Sequence, residues 1–217
     1  MELKKVRHLV SGGESTTVEF KRKVAHPEKI IKELVAFANT RGGYLFIGVN
    51  DDGSIPGLKF PEDHIYALEQ AIEKYCRPDL PYSIEEIPMT EDRWVVLVEV
   101  EESLHKPHYI LSPADDNKRI TFVRSGDKSI QASKEMREII RRRNNPKNIK
   151  FHYGDKERQL FEYLEKNERI TLDDFMKLAN ISHYRASRTL VLLTLANVLN
   201  IIPDNRGDLF VLKDNAN

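Results

Sequence analysis

A strand–helix–strand pattern over residues 12–57 constrains this chain of 217 residues more than any other feature. In the first extended run, TTVEFK, Val18 and Phe20 point to one face of a strand, and Glu19 and Lys21 point to the other. The second run, Tyr44–Val49, is apolar at nearly every position, which is typical of a strand buried on both faces. The pattern therefore predicts two strands in the core of a sheet.

The segment between the two runs reads as one helix. Pro27 suits the first helical turn, and the apolar residues that follow it recur at helical spacing. Gly42 and Gly43 then provide the glycine that a helix C-terminus favours.

Three carboxylates lie where these runs begin or end. Glu14 precedes the first strand, Glu19 lies within it, and Asp51 follows the second strand in an Asn-Asp-Asp-Gly turn. If the two strands are neighbours, the three acids converge, and hard carboxylate oxygens are what Mg²⁺ or Mn²⁺ requires. The alternative is structural: Asp51 is an ordinary turn residue, and Glu14 and Glu19 form ion pairs with Lys21 or Arg124 that hold this end of the fold together.

The rest of the first 143 residues continues as a mixed α/β domain. A second helix is predicted over Glu62–Cys76, strands over Tyr82–Ile87, Arg93–Val100 and Arg119–Arg124, and a last helix over Ala132–Arg143. We therefore predict an α+β protein with a mixed sheet flanked by helices in a domain of residues 1–143, followed by a linker over residues 144–154.

Residues 155–213 change character and predict a second, smaller domain. Helices are expected over Asp155–Lys166, from the capping residue Thr171 to Leu178, and from the capping residue Ser182 to about Val198. A short hairpin ends the domain, with Leu209–Leu212 as its second strand. This order is that of a winged helix-turn-helix.

In that interpretation the third helix is the recognition helix. Its candidate DNA-contacting residues are Arg185 and Arg188, with His183 and Tyr184 beside them, and Arg206 occupies the tip of the wing. The same helix continues as the apolar run LVLLTLANVL, and residues 151–217 contain ten acidic and nine basic residues. Dimerisation through this helix is therefore an equally weighted alternative to DNA contact.

Overall composition excludes several classes of protein. The 34 basic and 34 acidic residues cancel, no apolar run is long enough to span a membrane, and the first residues lack a signal peptide, so a cytoplasmic protein is expected. The single cysteine, Cys76, excludes an intrachain disulfide and a cysteine-built zinc site. No GxxxxGK[ST], HExxH or GxSxG motif is present.

One stretch departs from this neutrality. Residues 134–150 contain seven Lys or Arg against two Glu, a local excess of +5 that includes Arg141, Arg142 and Arg143. Such a run either contacts a phosphate backbone or is a solvated helix end, where cations favour the helix dipole.

Several blocks in a fixed order resemble the Schlafen AlbA-type domain. They are GESTTVEFK, ELVAFANTRGGYLFIGVNDDGSIPGL, ESLHKPHYI and ITFVRSGDKSIQAS. The resemblance implies a nucleic-acid-binding domain, and such domains are commonly joined to winged helices.

In nuclease members of the family, a three-carboxylate site cleaves RNA with a divalent metal. The resemblance maps these carboxylates onto Glu14, Glu19 and Asp51, with Mg²⁺ or Mn²⁺ as the metal. It also suggests that Lys21 neutralises the phosphate and that His108, Tyr109 and Arg124 contact the backbone.

The leading expectation is a bacterial-type, DNA-binding transcription regulator, for which the sequence indicates no specific cofactor. The alternatives are a metal-dependent endoribonuclease with RNA as its substrate, and a scaffold that forms a homodimer through the third helix of the second domain.

Overall fold

The computed structural model of this chain describes residues 3–112, 115–143 and 152–213. Two compact units share the chain, an N-terminal unit of residues 1–131 and a C-terminal unit of residues 132–217. In the described ranges, no helix is long and apolar enough to cross a membrane.

The N-terminal unit combines three helices with nine strands among its described residues. In chain order they are α1 (Leu3–Ser11), β1 (Val18–Lys21), α2 (Pro27–Asn39), β2 (Gly43–Ile47), α3 (Pro61–Tyr75), β3 (Cys76–Arg77), β4 (Tyr82–Thr90), β5 (Arg93–Val100), β6 (Tyr109–Ser112), β7 (Asp115–Ile120), β8 (Phe122–Ser125) and β9 (Lys128–Gln131).

The main sheet has the strand order β1-β2-β5-β4. Strands β1 and β2 are parallel, with Glu19 opposite Leu45, and the remaining pairs are antiparallel. The carboxyl ends of β1 and β2 therefore lie at the same edge of the sheet as the amino end of β5.

Apolar side chains cover both faces of this sheet, and the strand patterns explain how. Leu45 and Ile47 pack with α2 and α3, whereas Phe46 packs with α1 and with Phe20 of β1. The prediction that β2 is buried on both faces is confirmed. So is the alternation in β1, since Val18 and Phe20 lie in the α1-side core.

The C-terminal unit contains four helices and three strands among its described residues. They are α4 (Lys134–Arg143), α5 (Asp155–Asn167), β10 (Arg169–Thr171), α6 (Leu172–Ala179), α7 (His183–Leu195), β11 (Leu199–Ile202) and β12 (Leu209–Leu212). Its antiparallel sheet has the order β10-β12-β11. Leu160, Phe175, Leu190 and Phe210 are buried at its centre.

The predicted helix starts in this unit are present, but only one has its predicted cap. Thr171 Oγ1 accepts the backbone N–H of Asp174 at 3.1 Å, as expected of an N-cap. Ser182 holds the N-cap position of α7 without a side-chain capping bond.

Three differences from the predicted elements stand out. The helix α1 was not predicted, and the single strand expected over Arg119–Arg124 is two strands that separate at Thr121. The compact units also divide after Gln131 rather than at residue 143, because α4 packs on α7, where Ser187 Oγ donates to Glu135 Oε1 at 2.5 Å. Of the predicted linker, residues 144–151 lie outside the described residues.

Candidate nucleic-acid interface

Glu19 lies in the middle of β1 and faces α2 rather than solvent. Its carboxylate is only 7% exposed and accepts hydrogen bonds from Lys21 Nζ and, at 2.9 Å, from Arg124 Nη1. Burial raises the pKa of Glu19, and the hydrogen bond from Lys21 opposes that shift. Glu19 therefore forms the ion pairs with Lys21 and Arg124 that the structural alternative expects, whereas Glu14 accepts a backbone N–H instead.

Arg124, which the sequence suggested as a phosphate contact, is fully buried and needs correction. Its guanidinium also donates to Glu33 Oε2 on α2 at 2.9 Å and to the Ser15 backbone carbonyl at 2.6 Å, and lies 4.9 Å from the Phe37 ring centre. A buried arginine with two carboxylate partners is a neutralised structural charge. We call the set Glu19, Glu33, Lys21 and Arg124 the buried ion cluster.

The other two predicted carboxylates have different surroundings. Glu14 Oε1 accepts the backbone N–H of Phe20 at 2.9 Å, and Asp51 is exposed in the turn after β2. Among the described residues, no group of three or more His, Cys, Asp or Glu is placed to hold a metal ion. As placed, Glu14, Glu19 and Asp51 do not fit Mg²⁺ or Mn²⁺, because Glu19 is already paired inside the protein.

His108 and Tyr109 are adjacent in sequence but differ in exposure. His108 is buried, and its backbone N–H donates to Asn39 Oδ1 at 2.7 Å. Burial lowers the pKa of His108, so the sequence-based assignment of a phosphate contact needs correction here as well. Tyr109 is half-buried, with the Arg119 guanidinium 5.0 Å from its ring centre.

In the C-terminal unit, the predicted contact residues are exposed. Tyr184, Arg185 and Arg188 lie on the first turns of α7, where Arg188 Nη1 donates to the Tyr184 hydroxyl at 3.0 Å. Arg206 is exposed in the loop between β11 and β12, and its backbone N–H donates to Asp204 Oδ1 at 2.8 Å.

Helix α4 adds further cations to the same unit. Arg141 and Arg143 are exposed and Arg142 is half-buried, while Arg141 also pairs with Glu138 at 2.5 Å. Between α4 and α7 lies a groove of about 490 Å³, and its polar lining includes Lys134, Glu138, Arg142, Tyr184 and Arg188. The two helices therefore present their cations along one groove.

Sequence reasoning missed another set of basic side chains in the N-terminal unit. Arg22, Lys23, Lys59, His64 and Arg93 line one groove. They come from four separate parts of the chain, so no local motif connects them. The pair Arg22–Lys23 directly after the EFK motif was the one available signal.

Exposed cations therefore occur on both units, whereas the charges inside the sheet domain are paired with one another. Residues 14–133 match the family described as Schlafen, AlbA_2. This match covers more than half of the chain, which belongs to that family.

A solved structure is also similar to this chain. It is the crystal structure of the DIP2311 protein from Corynebacterium diphtheriae, with 18% sequence identity and a TM-score of 0.45. The match covers 91% of this chain and 34% of that one, so this chain spans about a third of the length of its relative.

Proposed function

We propose that this protein is a DNA-binding transcription regulator in which the C-terminal unit acts as a winged helix-turn-helix. The observation that carries the proposal is the exposed Tyr184, Arg185 and Arg188 on the first turns of α7. In a winged helix the N-terminal part of the third helix contacts base edges in the major groove. Arginine there forms bidentate hydrogen bonds with guanine, and tyrosine contacts phosphate.

Two further features support duplex DNA as the ligand. Arg206, at the tip of the β11–β12 hairpin, occupies the position from which a wing contacts the neighbouring backbone. Arg141, Arg142 and Arg143 extend the same positive surface along α4, which packs on α7. In the N-terminal unit, the candidate contact residues Lys21 and Tyr109 are both partly accessible to a ligand: 30% of the Lys21 side chain is exposed, and Tyr109 is half-buried.

The proposal is tested with a random-duplex selection on the purified full chain, followed by titration of the enriched sequence. We expect one sequence class to be enriched by the wild type. The Arg185→Gln/Arg188→Gln variant should bind that sequence at least about tenfold more weakly, since each bidentate base contact contributes about 1–3 kcal/mol.

The matched control is Lys166→Gln/Arg169→Gln, which removes the same charge from exposed positions of the same unit. Equal losses of duplex affinity in the two variants would show that the arginines of α7 act only through their charge and not through base contacts. Failure to enrich any duplex would overturn the proposal.

The endoribonuclease alternative is separated by a cleavage assay on structured RNA with Mn²⁺ and with EDTA. The informative variant is Asp51→Asn, because Asp51 is exposed and its substitution leaves the buried ion cluster intact. Under the proposal, RNA is not cleaved by either protein. Mn²⁺-dependent cleavage that disappears in Asp51→Asn would replace the regulator with a nuclease.

A further inference from the structure

The N-terminal unit contains a basic groove of about 400 Å³ that the DNA-binding proposal does not use. Its lining consists of Arg22, Lys23, Pro56, Gly57, Leu58, Lys59, His64 and Arg93. Four of these side chains carry a permanent positive charge, and none is acidic. We call it the basic groove.

The topology of the main sheet builds this groove. Arg22 and Lys23 follow the carboxyl end of β1, residues 56–59 lie on the connection that leaves β2, and Arg93 begins β5. These three points meet at one edge because β1 and β2 are parallel and β5 is antiparallel to β2. Crevices outside the carboxyl ends of parallel strands are common ligand sites in α/β sheets.

Backbone hydrogen bonds hold the edge in place. Gly48 N–H donates to the Lys21 carbonyl at 2.8 Å, Gly57 N–H donates to the Gly48 carbonyl at 3.0 Å, and Leu58 and Trp94 exchange two bonds of 2.7 and 3.0 Å. Gly57 has φ +67°, and a Cβ there would meet Arg93 Cβ at 3.0 Å. The groove is thus a fixed feature rather than a gap between loose side chains.

The cations in this groove lack the compensation found inside the fold. Among the described residues, no carboxylate is within 4.0 Å of the charged groups of Arg22, Lys23 or Lys59, and Arg93 has one distant contact, with Asp92 at 3.7 Å. His64 Nδ1 accepts the Val24 N–H at 3.4 Å. Uncompensated cations held together at a concave site attract an anion.

An exposed aromatic ring beside the groove-lining Lys59 narrows the choice of anion. Phe60 is 55% exposed, and Nζ of the groove-lining Lys59 lies 5.5 Å from its ring centre. Exposed aromatic rings beside cations are how proteins bind single strands, because an unpaired base stacks on the ring while cations contact the phosphates. In a duplex the bases are already paired and stacked, so no base is available to the ring.

We propose that the basic groove binds the phosphodiester backbone of a single strand of nucleic acid, with a base stacked on Phe60. The inference rests on the proposed nucleic-acid-binding function and adds a second ligand form to it. Duplex contacts belong to the C-terminal unit, and contacts with an unpaired strand belong to the N-terminal unit.

The first experiment measures the affinity of the full chain for a fluorescent single-stranded oligothymidine at several salt concentrations. The variant Arg22→Gln/Lys23→Gln/Arg93→Gln is compared with Lys4→Gln/Lys29→Gln/Lys128→Gln, which removes equal charge from exposed positions of the same unit. We expect the groove variant to bind at least about tenfold more weakly than the control variant. Its log–log salt slope should fall by about 2, because each lost phosphate contact reduces the slope by about 0.7.

The second experiment tests stacking. Phe60→Ala should weaken single-strand binding about fivefold or more without changing the salt slope, since stacking releases no counterions. Tyr66→Ala is the control, because Tyr66 of α3 is also an exposed aromatic residue, at 67%. An equal loss of duplex binding in Phe60→Ala would contradict the single-strand assignment.

The outcomes separate this inference from the DNA-binding proposal. If the wild type binds duplex DNA and the two triple variants bind single strands equally, the basic groove is not the site, while the regulator proposal survives. If Arg185→Gln/Arg188→Gln loses duplex binding but keeps single-strand binding, the two sites are independent, as we expect.

Discussion

Two groups of charged side chains begin on the same short strand and have opposite characters. Glu19 and Lys21 of β1 join Arg124 and Glu33 in the buried ion cluster, where two positive charges meet two negative ones. One residue beyond Lys21, the chain enters the basic groove, where Arg22, Lys23 and Lys59 are exposed and form no ion pair among the described residues. The same segment thus contributes to the interior and to a candidate binding surface.

The difference shows that the residues of the recognisable motif and the candidate binding residues are not the same. The recognisable EFK motif supplies charges that are neutralised within the fold, so its presence alone says little about ligands. The cations left free for a polyanion follow the motif or come from distant segments. Substitutions in the buried ion cluster should therefore lower stability and hardly change binding, whereas substitutions in the basic groove should weaken binding and hardly change stability.

The largest expected effect is on stability, at Arg124. Arg124→Met leaves Glu19 and Glu33 without their shared partner, and removing one member of a buried ion pair costs about 3–5 kcal/mol. Urea unfolding measures the change. The matched control, Arg22→Met at an exposed position, should stay within about 0.5 kcal/mol of the wild type. Equal effects of the two substitutions would show that the cluster is not structural.

Local patterns predicted most of the fold. The alternation in β1, the apolar run of β2 and the helical spacing of α2 are periodic signals of burial, and all three elements are present. Helix α1 was missed although it buries Val6 and Val10, because its few apolar residues are set among charged ones. Strands β7 and β8 were read as one because their separation depends on which partner each strand pairs with.

The candidate sites were harder to predict because charge does not reveal burial. Arg124 and Arg22 look alike in sequence, yet tertiary packing surrounds one with carboxylates and leaves the other exposed. Arg93 and Lys59 become neighbours of Arg22 through strand order, which no short motif encodes. The arginines of α7 are exposed, and they were proposed as contacts because the capping residue Ser182 predicted the start of their helix.

The second prediction concerns the pH dependence of the buried ion cluster. Burial raises the pKa of Glu19 above its usual 4.5, so the folded protein binds a proton more tightly than the unfolded chain at this position. This contribution to the free energy of unfolding is complete below pH 4.5 and is lost as the pH rises through the folded-state pKa.

Glu19→Gln removes that proton. We expect the curve of unfolding free energy against pH to fall less steeply in the variant, by at most about 1.4 kcal/mol per pH unit. Urea titrations at a series of pH values measure the slopes, with Asp51→Asn as the exposed control. Parallel curves for Glu19→Gln and wild type would contradict a raised pKa at Glu19.

The third prediction tests whether Lys21 belongs to the buried ion cluster or to the basic groove, because it lies next to both in the chain. Its Nζ donates to Glu19 and, at 2.8 Å, to the Phe20 carbonyl, and 30% of its side chain is exposed. Lys21→Met should destabilise the fold by about 1 kcal/mol, the size of a hydrogen-bond loss moderated by solvent. Single-strand affinity should change less than twofold. A larger loss of affinity with unchanged stability would place Lys21 in the basic groove instead.

The smallest expected effect has the opposite sign. Cations gathered at one site repel one another, so the Arg22→Gln/Lys23→Gln/Arg93→Gln variant should be more stable than the wild type at low salt, by a few tenths of a kcal/mol. Added salt should remove the gain, because exposed charges are screened beyond about 10 Å at 0.1 M. The Lys4→Gln/Lys29→Gln/Lys128→Gln variant keeps the cations of the basic groove and should therefore show no gain. Paired thermal melts at low and high salt make the measurement. A variant that is less stable at low salt would mean that these cations hold the fold together, as Arg124 does, and would remove the contrast between the two groups.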